Sequence, residues 1–504
     1  MKKIIDINYL NILRKNYNKQ KKKIVLCHGV FDLIHIGHMK HFKSAKNHGD
    51  ILVVSITPDS FVNKGPKRPV FGEKLRAELL SNISSIDHIV INNKSTAINL
   101  IKKLKPNIYC KGPDYKKHSD DITGQIKNEI KALKGHGGEI KYTSDITNSS
   151  STLINEYYSD LSSSKKKVIN KIKKASFNTE KIFNSFKKLK ALVIGETIID
   201  QYFFCETLGK SGKDPILQMH EFNSETYIGG AAAIAGNLAK FCKSVSFISM
   251  IGEDKKYYQL IKKKLASNID TKFFFKKNSP TIIKKKYVDI VSNHKVFGSY
   301  IINDSPMDIK NENELHNYLK KKINHYDLIV VSDYGHGFIS KKNAKIICNK
   351  SKFLALNAQI NAANRGYHTM DKYIKSDCII INETELRHEL RNKNEELKNL
   401  MKQLTNKIKI KDLIVTKGSQ GATLYSNQSK EFYEMDAFAE KVVDKIGSGD
   451  TMLSIIALCL KLKLNKYLSL LISSLAASQS VSSIGNKYLI DEIKLKKAVE
   501  HTLK

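Results

Sequence analysis

The segment His28–His38 reads HGVFDLIHIGH, and it follows the short apolar run IVLCH, which ends at its first histidine. A buried strand, a glycine turn and the start of a helix form the pattern of a βα unit in a parallel sheet. The first turn of such a helix presents free backbone N–H groups and the positive end of the helix dipole. The segment therefore predicts an anion site, suited to phosphate, at the end of a strand.

The glycines and histidines of this segment have a spacing that suits triphosphate chemistry. Gly29 allows a tight turn, and Gly37 lets the backbone approach phosphate closely. His35 and His38 are three residues apart, so they share one helix face. Two imidazoles there can donate hydrogen bonds as charge develops on a leaving pyrophosphate. For an HxxH pair alone, the alternative is two surface histidines near a helix start.

Further segments favour the phosphate site over two surface histidines, because they follow one another in a fixed order. They are NKGPKRPV at 63–70, RAELL from Arg76, KGPDY from Lys111 and SSSTLIN at 149–155. Together with the signature (N/H)GxFDxxHxGH, these segments resemble the cytidylyltransferase-like nucleotidyltransferases, most closely the adenylyltransferase half of bacterial ADP-heptose synthases. The resemblance implies that a sugar 1-phosphate attacks the α-phosphate of a nucleoside triphosphate and releases pyrophosphate. A divalent cation, Mg²⁺, is expected to bridge the phosphates.

The same resemblance assigns residues. His35 and His38 are expected to be catalytic, and Asp32 is expected to position the turn rather than to bind metal. Nucleotide and phosphate binding is expected from Gly29, Phe31, Gly37, Lys64, Arg76, Lys111, Ser151 and Thr152. ATP is the expected nucleotide, with CTP left open.

A second phosphate motif stands near the end of the chain, where VVDKIGSGDTMLS covers 442–454. The backbone N–H groups of Gly447, Ser448 and Gly449 could form an anion hole at the start of the apolar helical run that follows. Asp450 stands where a carboxylate could accept a proton from an attacking hydroxyl. The alternative for a lone GSGD is an ordinary helix N-cap.

Other segments again favour the functional reading. They are VIGETIIDQY with Asp200, IGGAAAIAGNLAKF at 228–241, SDYGHG at 332–337, INETEL at 381–386 and VTKGSQGA at 415–422. With GSGD they resemble the ribokinase/PfkB family of carbohydrate kinases. The resemblance implies ATP-dependent phosphoryl transfer to a sugar, with Asp450 as the catalytic base.

Two groups of binding residues follow from the kinase resemblance. Nucleotide and phosphate binding is expected from Asn382, Glu385, Thr416, Gly418, Gly447, Ser448 and Gly449, with Glu385 also near the metal. Substrate binding is expected from Asp200, Gly229, Gly230, Asn237 and Asp333.

The chain departs from the kinase pattern mainly on the acceptor side. Ala233 replaces an Asn after GGAA, His336 replaces the Lys of DYGKG, and Lys445 with Ile446 stands where heptose kinases have a Thr. The usual DPK-like segment reads LNAQ, Leu356–Gln359. Loss of an amide that binds a sugar hydroxyl costs on the order of 1–3 kcal/mol if the partner is left unpaired. We therefore expect an active kinase with an altered sugar acceptor.

Composition bounds the remaining function classes. Lys+Arg 85 against Asp+Glu 49 gives a net charge of +36, but the lysines run through the whole chain rather than forming a patch or stripe. Nucleic acid is therefore not the expected partner. Seven scattered cysteines without a CxxC pair indicate a reducing cytoplasm. The N-terminal stretch MKKIIDINYLNILRKN lacks a sustained apolar core, so neither a signal peptide nor a membrane location is expected.

The sequence thus predicts two Rossmann-like α/β domains. The nucleotidyltransferase domain is expected at 1–158, a linker with an exposed helix at 159–188, and the ribokinase-like domain at 189–504. The predicted protein is a bifunctional transferase, both a nucleotidyltransferase and a carbohydrate kinase, of an ADP-heptose-like pathway. It acts on sugar phosphates and nucleoside triphosphates, with a homodimer possible by family analogy. The alternatives are an active nucleotidyltransferase with a non-catalytic, sugar-sensing kinase half, and a basic nucleic-acid-binding protein.

Overall fold

The structure, a computed structural model, describes residues 3–62, 68–112, 125–143, 163–174, 177–360, 364–439 and 442–503. Contacts divide the chain into two compact units, Met1–Ser162 with Lys496–Lys504 and then Ser163–Leu495. Each unit is built on a largely parallel sheet, which confirms the predicted α/β class. The domain boundaries at 158 and 189 stay predictions.

The first unit holds one six-stranded parallel sheet. Its strands are β1 (Ile4–Ile5), β2 (Ile24–Gly29), β3 (Ile51–Ile56), β4 (His88–Ile91), β5 (Ile108–Lys111) and β6 (Glu139–Tyr142). Its helices are α1 (Leu10–Lys19), α2 (Ile36–Lys46), α3 (Glu73–Ser81), α4 (Ile98–Leu104) and α5 (Ile126–Lys134). The strand order is β1-β4-β3-β2-β5-β6, so the chain reverses its direction across the sheet between β2 and β5. Ligands of such sheets bind beyond the carboxyl ends of the strands at this switch point.

Strand β2 is apolar throughout because both of its faces are covered. Ile24 and Leu26 pack in one buried cluster, while Val25 and Cys27 pack in another on the opposite face. This alternation is the period-2 geometry of a strand. It fixes the register of β2, so that Gly29 ends the strand at the switch point.

The second unit combines a central sheet with a smaller one. The strands are β7 (Lys190–Lys210), β8 (Leu217–Gly230), β9 (Ser244–Gly252), β10 (Ile269–Lys276), β11 (Ile282–Asp289), β12 (Lys295–Ile301), β13 (Leu328–Asp333), β14 (Leu354–Ala358), β15 (Lys375–Asn382), β16 (Lys409–Thr416), β17 (Ala422–Ser426) and β18 (Glu431–Met435). The central order is β10-β9-β7-β13-β14-β15-β16-β17-β18, parallel up to β16. The 21-residue β7 leaves this sheet after Glu196 and continues beside β8 and β11. Strand β12 pairs with β11, and we call β8, β11, β12 and the second half of β7 the small sheet.

Helices complete the second unit. They are α6 (Ser163–Lys174), α7 (Thr179–Phe186), α8 (Ala231–Ala239), α9 (Tyr258–Lys264), α10 (Ile309–Lys322), α11 (Lys341–Lys350), α12 (Glu383–Glu389), α13 (Leu397–Lys407), α14 (Ser448–Lys461), α15 (Lys466–Ser480) and α16 (Glu492–Leu503), which ends among the residues grouped with the first unit. No helix among the described residues is long and apolar enough to cross a membrane.

The predicted linker is corrected by the structure. The segment contains two helices, α6 and α7, and their apolar side chains are buried rather than exposed. Ile172 of α6 is 2% exposed, and Phe186 of α7 is fully buried beside Phe241. The reason is the amphipathic spacing of the apolar residues, which gives each lysine-rich helix one face that packs.

Candidate active sites

The two histidines of the first motif lie together at the start of α2. His35 is the N-cap residue, and its Nδ1 accepts a hydrogen bond from the Gly37 N–H at 3.1 Å. This contact leaves the proton of the neutral ring on Nε2, where it can be donated. The ring centroids of His35 and His38 are 4.0 Å apart, and both side chains are partly exposed. The structure therefore brings the predicted catalytic pair together at a helix N-terminus.

The turn between β2 and α2 is held in a tight conformation. Phe31 has a φ of +49°, and its ring packs 5.6 Å from the His38 ring, edge to face. A Cβ at Gly29 would stand 3.0 Å from the Phe31 ring, so a larger residue there would require this ring to shift. Asp32 is buried and accepts the N–H groups of Val70 and Phe71. Its contacts are those of the positioning residue that the sequence predicts.

Lys111, at the end of β5, is less available than predicted. Its side chain is 8% exposed, and its Nζ lies 3.5 Å from Glu129 Oε2. Burial and the charge of Lys111 together lower the pKa of His28 to about 4, so His28 is neutral at pH 7. Since Glu129 already balances the Lys111 ammonium, the structure weakens the prediction that Lys111 is a phosphate clamp.

Arg76 is corrected from a phosphate clamp to a structural residue. Its side chain is fully buried in α3. The guanidinium donates to the backbone oxygens of Val30, Phe71 and Thr57 and to Asp59 Oδ1. Its donors are therefore used within the fold, where they fix the loops after β2 and β3. Lys64, Ser151 and Thr152 lie outside the described residues, and their roles stay predictions.

The second motif forms the first turn of α14. Gly447 is the N-cap residue with a φ of +82°, and a Cβ there would stand 2.2 Å from Asn486 Oδ1. A Cβ at Gly449 would meet no atom of the described residues within 4 Å, so this side of the turn is open. Ser448 begins the helix between them. The Ser448 N–H, however, donates to the Lys445 carbonyl at 3.4 Å, and the anion hole at this turn stays a prediction.

Asp450 lies on this turn and is partly exposed. Its Oδ1 accepts a hydrogen bond from the Tyr334 hydroxyl at 2.9 Å. Burial raises the pKa of Asp450 to about 7, although the Tyr334 hydrogen bond acts in the opposite direction. A carboxylate with a pKa near 7 is well matched to proton abstraction at neutral pH.

Acceptor-side residues converge close to Asp450. Lys286 of β11 forms an ion pair with Asp200 of β7. A Cβ at Gly229 would stand 2.3 Å from Asp200 Oδ2 and 3.2 Å from Asn486 Nδ2, so this glycine leaves room for both side chains. Asp200 and Gly229 thus lie together, as predicted for substrate binding, and Asn486 joins them.

Two other predicted substrate residues are corrected. Asn237 is buried, and its Oδ1 accepts a hydrogen bond from the Ile490 N–H. Its Nδ2 donates a hydrogen bond to the Thr451 hydroxyl. Asp333 is 1% exposed and accepts hydrogen bonds from Tyr373 and the Gly335 N–H, beside an ion pair of 2.6 Å to Lys372. Both side chains are occupied by structural contacts. Gly230 has a φ of +64° and serves the turn into α8.

Four of the seven nucleotide residues predicted for the kinase line one cavity of about 470 Å³. Asn382, Glu385, Thr416 and Gly418 all contribute to its wall, together with the cationic side chains Arg365, Arg387 and Lys417. Arg387 is paired with Glu383 of the same wall and with the carbonyls of Lys393 and Glu395. Arg365 and Lys417 are therefore the cations of this wall that suit a polyphosphate. The end of β15, the end of β16 and the start of α12 position these groups.

Glu385 and Asn382 form a capping box at the start of α12. The Glu385 N–H donates to Asn382 Oδ1 at 2.8 Å, and Glu385 Oε2 accepts the Asn382 N–H at 3.0 Å. Burial outweighs the backbone hydrogen bonds and raises the pKa of Glu385 to about 7. The visible role of this pair is therefore to fix the helix beside the cavity.

Several residues near the predicted kinase site carried no functional prediction. Tyr334 follows Asp333 directly in SDYGHG, but no periodicity indicates that its hydroxyl reaches Asp450. The Lys284 ammonium lies 5.6 Å from the centroid of the Tyr334 ring. Lys284 and Lys286 alternate along β11 and so share a face, and this alternation could have indicated both lysines. Asn486 follows a turn glycine, and nothing in its neighbourhood marks it as a site residue.

Comparisons with known proteins agree with both units. A family model described as pfkB family carbohydrate kinase matches residues 188–492, and one described as cytidylyltransferase-like matches residues 26–169. The bifunctional protein HldE of Helicobacter acinonychis is 48% identical over 108 residues, 21% of this chain and 22% of that protein. HldE of Campylobacter jejuni strain RM1221 is 28% identical over 316 residues, 62% of this chain and 65% of that protein.

The extent of these matches differs. In five HldE proteins, the match covers between 22% and 30% of the relative's own length. Among solved structures, phosphofructokinase-2 from Escherichia coli in complex with potassium has a TM-score of 0.51 and 13% identity, and the match covers 63% of this chain and 100% of that chain. This likeness shows the fold of the second unit. Because the kinase model matches more than half of its residues, the chain belongs to the pfkB family of carbohydrate kinases, with a cytidylyltransferase-like domain ahead of the kinase domain.

Proposed function

We propose that the chain is a bifunctional enzyme of sugar-nucleotide biosynthesis in an ADP-heptose-like pathway. The observation that carries the proposal is the meeting of Asp450, the Gly447–Gly449 turn and the Asp200–Lys286 pair within the second unit. The histidine pair of α2 supports the second activity. Both sites place a helix N-terminus where a phosphate group must be held.

In the proposed kinase reaction, Asp450 accepts the proton of a sugar hydroxyl as that oxygen attacks the γ-phosphorus of ATP. The bond from the γ-phosphorus to the bridging oxygen breaks, and ADP leaves. In this proposal, the N–H groups of the Gly447–Gly449 turn stabilise the charge that develops on the transferred group. Positioning and electrostatics carry this chemistry, without a covalent enzyme intermediate.

In the proposed nucleotidyl transfer, an oxygen of a sugar 1-phosphate attacks the α-phosphorus of the nucleoside triphosphate, and pyrophosphate leaves. His35 and His38 donate hydrogen bonds to the phosphate oxygens as negative charge builds up on the leaving group. Gly29, Phe31 and Gly37 shape the turn that lets the backbone approach.

Mg²⁺ fits the proposed kinase site through Glu385. Burial disfavours the charged form of this carboxylate and raises its pKa, and a nearby cation would reverse that effect. Among the described residues, no group of three or more His, Cys, Asp or Glu side chains could hold a metal. Mg²⁺ needs few protein ligands when phosphates and water supply the others. When bound, the ion would neutralise phosphate charge beside the nucleotide cavity.

The seven cysteines support the proposed cytoplasmic location. All of them are free and buried, and all lie within the described part of the chain. Free buried thiols are typical of a reducing compartment.

The experiment that tests the whole proposal is mass spectrometry of products. The protein is incubated with Mg²⁺, each nucleoside triphosphate and a panel of sugars, sugar phosphates and sugar 1-phosphates. A sugar gaining one phosphate and a nucleotide-linked sugar with free pyrophosphate are the two expected products. Absence of both across the panel would contradict the proposal.

The pH profile of the kinase reaction should report Asp450. Because burial raises the pKa of this base to about 7, the deprotonated form is the minority below pH 7. We expect kcat/KM to rise about tenfold per pH unit below 7 and to level off above it. Tyr334→Phe removes a hydrogen bond that lowers this pKa, so its profile should move to higher pH. A profile that is flat between pH 5.5 and 8 would exclude Asp450 as the base.

A homodimer is also part of the proposal. The small sheet and its connections expose large apolar side chains, including Phe222 at 54%, Val291 at 77% and Phe297 at 59%. In the proposed dimer, these side chains would be covered by the second copy of the chain. We expect sedimentation equilibrium to give twice the mass of one chain, and Phe297→Asp to give the mass of one. A wild-type monomer at micromolar concentration would remove the dimer from the proposal.

A further inference from the structure

A buried carboxylate lies beneath the phosphate turn of the kinase unit. Asp444 precedes Gly447 by three residues, and its side chain is 2% exposed. It accepts hydrogen bonds from the Tyr202 hydroxyl at 2.6 Å and from the N–H groups of Ile446 and Gly485, both at 3.1 Å. The carboxylate therefore ties the turn at 444–449 to β7 and to the loop that carries Asn486.

One ammonium group balances this carboxylate. Lys295, the first residue of β12, places Nζ 2.5 Å from Asp444 Oδ1. Burial alone would raise the pKa of Asp444, but the contacts from Lys295 and Tyr202 outweigh burial and hold the pKa below its usual range. Among the described residues, Lys295 makes the only ion pair to this carboxylate.

The position of Lys295 links two parts of the site. Strand β12 pairs with β11, whose Lys286 binds Asp200 on the acceptor side. The ammonium groups of Lys286 and Lys295 lie 4.7 Å and 5.6 Å from the centroid of the Tyr202 ring. One tyrosine of β7 thus packs against the acceptor-side ion pair and also binds the carboxylate under the phosphate turn.

An unbalanced Asp444 would oppose phosphate binding. A buried charge is felt strongly because the protein interior screens it weakly, and Asp444 bonds to the turn that must receive a polyanion. We propose that Lys295 is a positioning residue for phosphoryl transfer: its ammonium neutralises Asp444 and so holds the 444–449 turn in the geometry that receives phosphate. This inference rests on the proposed kinase activity. A half-exposed ion pair with a purely structural role would instead contribute little to anything but stability.

The kinetic test removes the ammonium and then supplies it again. Lys295→Ala should lower kcat 10- to 100-fold and raise the KM for ATP, with a melting temperature within a few degrees of wild type. Adding n-propylammonium, which carries the atoms that the substitution deletes, should restore most of kcat, whereas n-propanol should not. The matched control is Lys272→Ala, which breaks the half-exposed pair with Glu314 at 2.7 Å and should leave kcat unchanged.

A second measurement does not depend on turnover. Amide hydrogen exchange of the peptide covering 444–450 should be faster in Lys295→Ala than in wild type, and n-propylammonium should slow it again. Unchanged exchange, or a loss of kcat that the amine does not restore, would overturn the positioning role. If the exchange responds but wild type phosphorylates no sugar, the proposed kinase activity fails while the link between Lys295 and the turn stands.

Discussion

Asp450→Asn should lower kcat for sugar phosphorylation about 10³-fold, because general-base catalysis of this kind is worth roughly 10²- to 10⁴-fold. The substitution keeps the shape of the side chain and can keep the contact with the Tyr334 hydroxyl. It removes the group that accepts the hydroxyl proton. Measurement of ADP release with the best acceptor found by mass spectrometry checks this result.

The chain provides its own control for this variant. Pyrophosphate release by the first unit should be unchanged in Asp450→Asn, since the histidine pair belongs to the other compact unit. A wild type that binds sugars without consuming ATP would favour the sensor alternative for the kinase half. Full kinase activity in Asp450→Asn would remove Asp450 from the mechanism.

His38→Ala should lower nucleotidyl transfer by about 10²- to 10³-fold, the usual effect of removing one donor that stabilises developing charge. His38 lies in the first turn of α2 beside His35, so its loss takes one of the two imidazoles from the leaving pyrophosphate. Pyrophosphate release with a sugar 1-phosphate measures the effect, and sugar phosphorylation should be unchanged.

Comparison of the two histidines separates catalysis from stability. His35→Ala also removes the N-cap acceptor for Gly37, which costs about 1 kcal/mol of stability. His38→Ala leaves this cap intact, so its melting temperature should stay close to that of wild type. The matched control is His48→Ala, just beyond the end of the same helix, which should keep full activity. Equal activity of the two variants His38→Ala and His48→Ala would contradict the assigned role.

Local patterns predicted the two motifs well. In both, a glycine turn leads into a helix, and the chemistry depends on residues within one or two turns of it. His35 with His38, and Gly447 with Asp450, needed only strand–turn–helix geometry to come together. The βα alternation likewise predicted two parallel sheets, because apolar runs of four to six residues reflect strands buried on both faces.

Roles that depend on distant contacts were not predictable in the same way. Arg76 binds three carbonyls in the two loops after β2 and β3, and Asp333 binds Lys372 and Tyr373, which follow it by about 40 residues. A charged residue in a suitable motif cannot be distinguished by sequence from one that the fold has already paired. Asn486 reaches its place through packing against Gly229 and Gly447, both far away in the chain.

The shared strand β7 has a consequence for synthesis on the ribosome. Its first half needs β13 as a neighbour, and its second half needs β11, yet both partners emerge much later than β7 itself. At about 5–20 residues per second, the nascent chain holds an unpaired, apolar strand edge for on the order of ten seconds. We therefore expect folding of the kinase unit to depend on chaperones during translation.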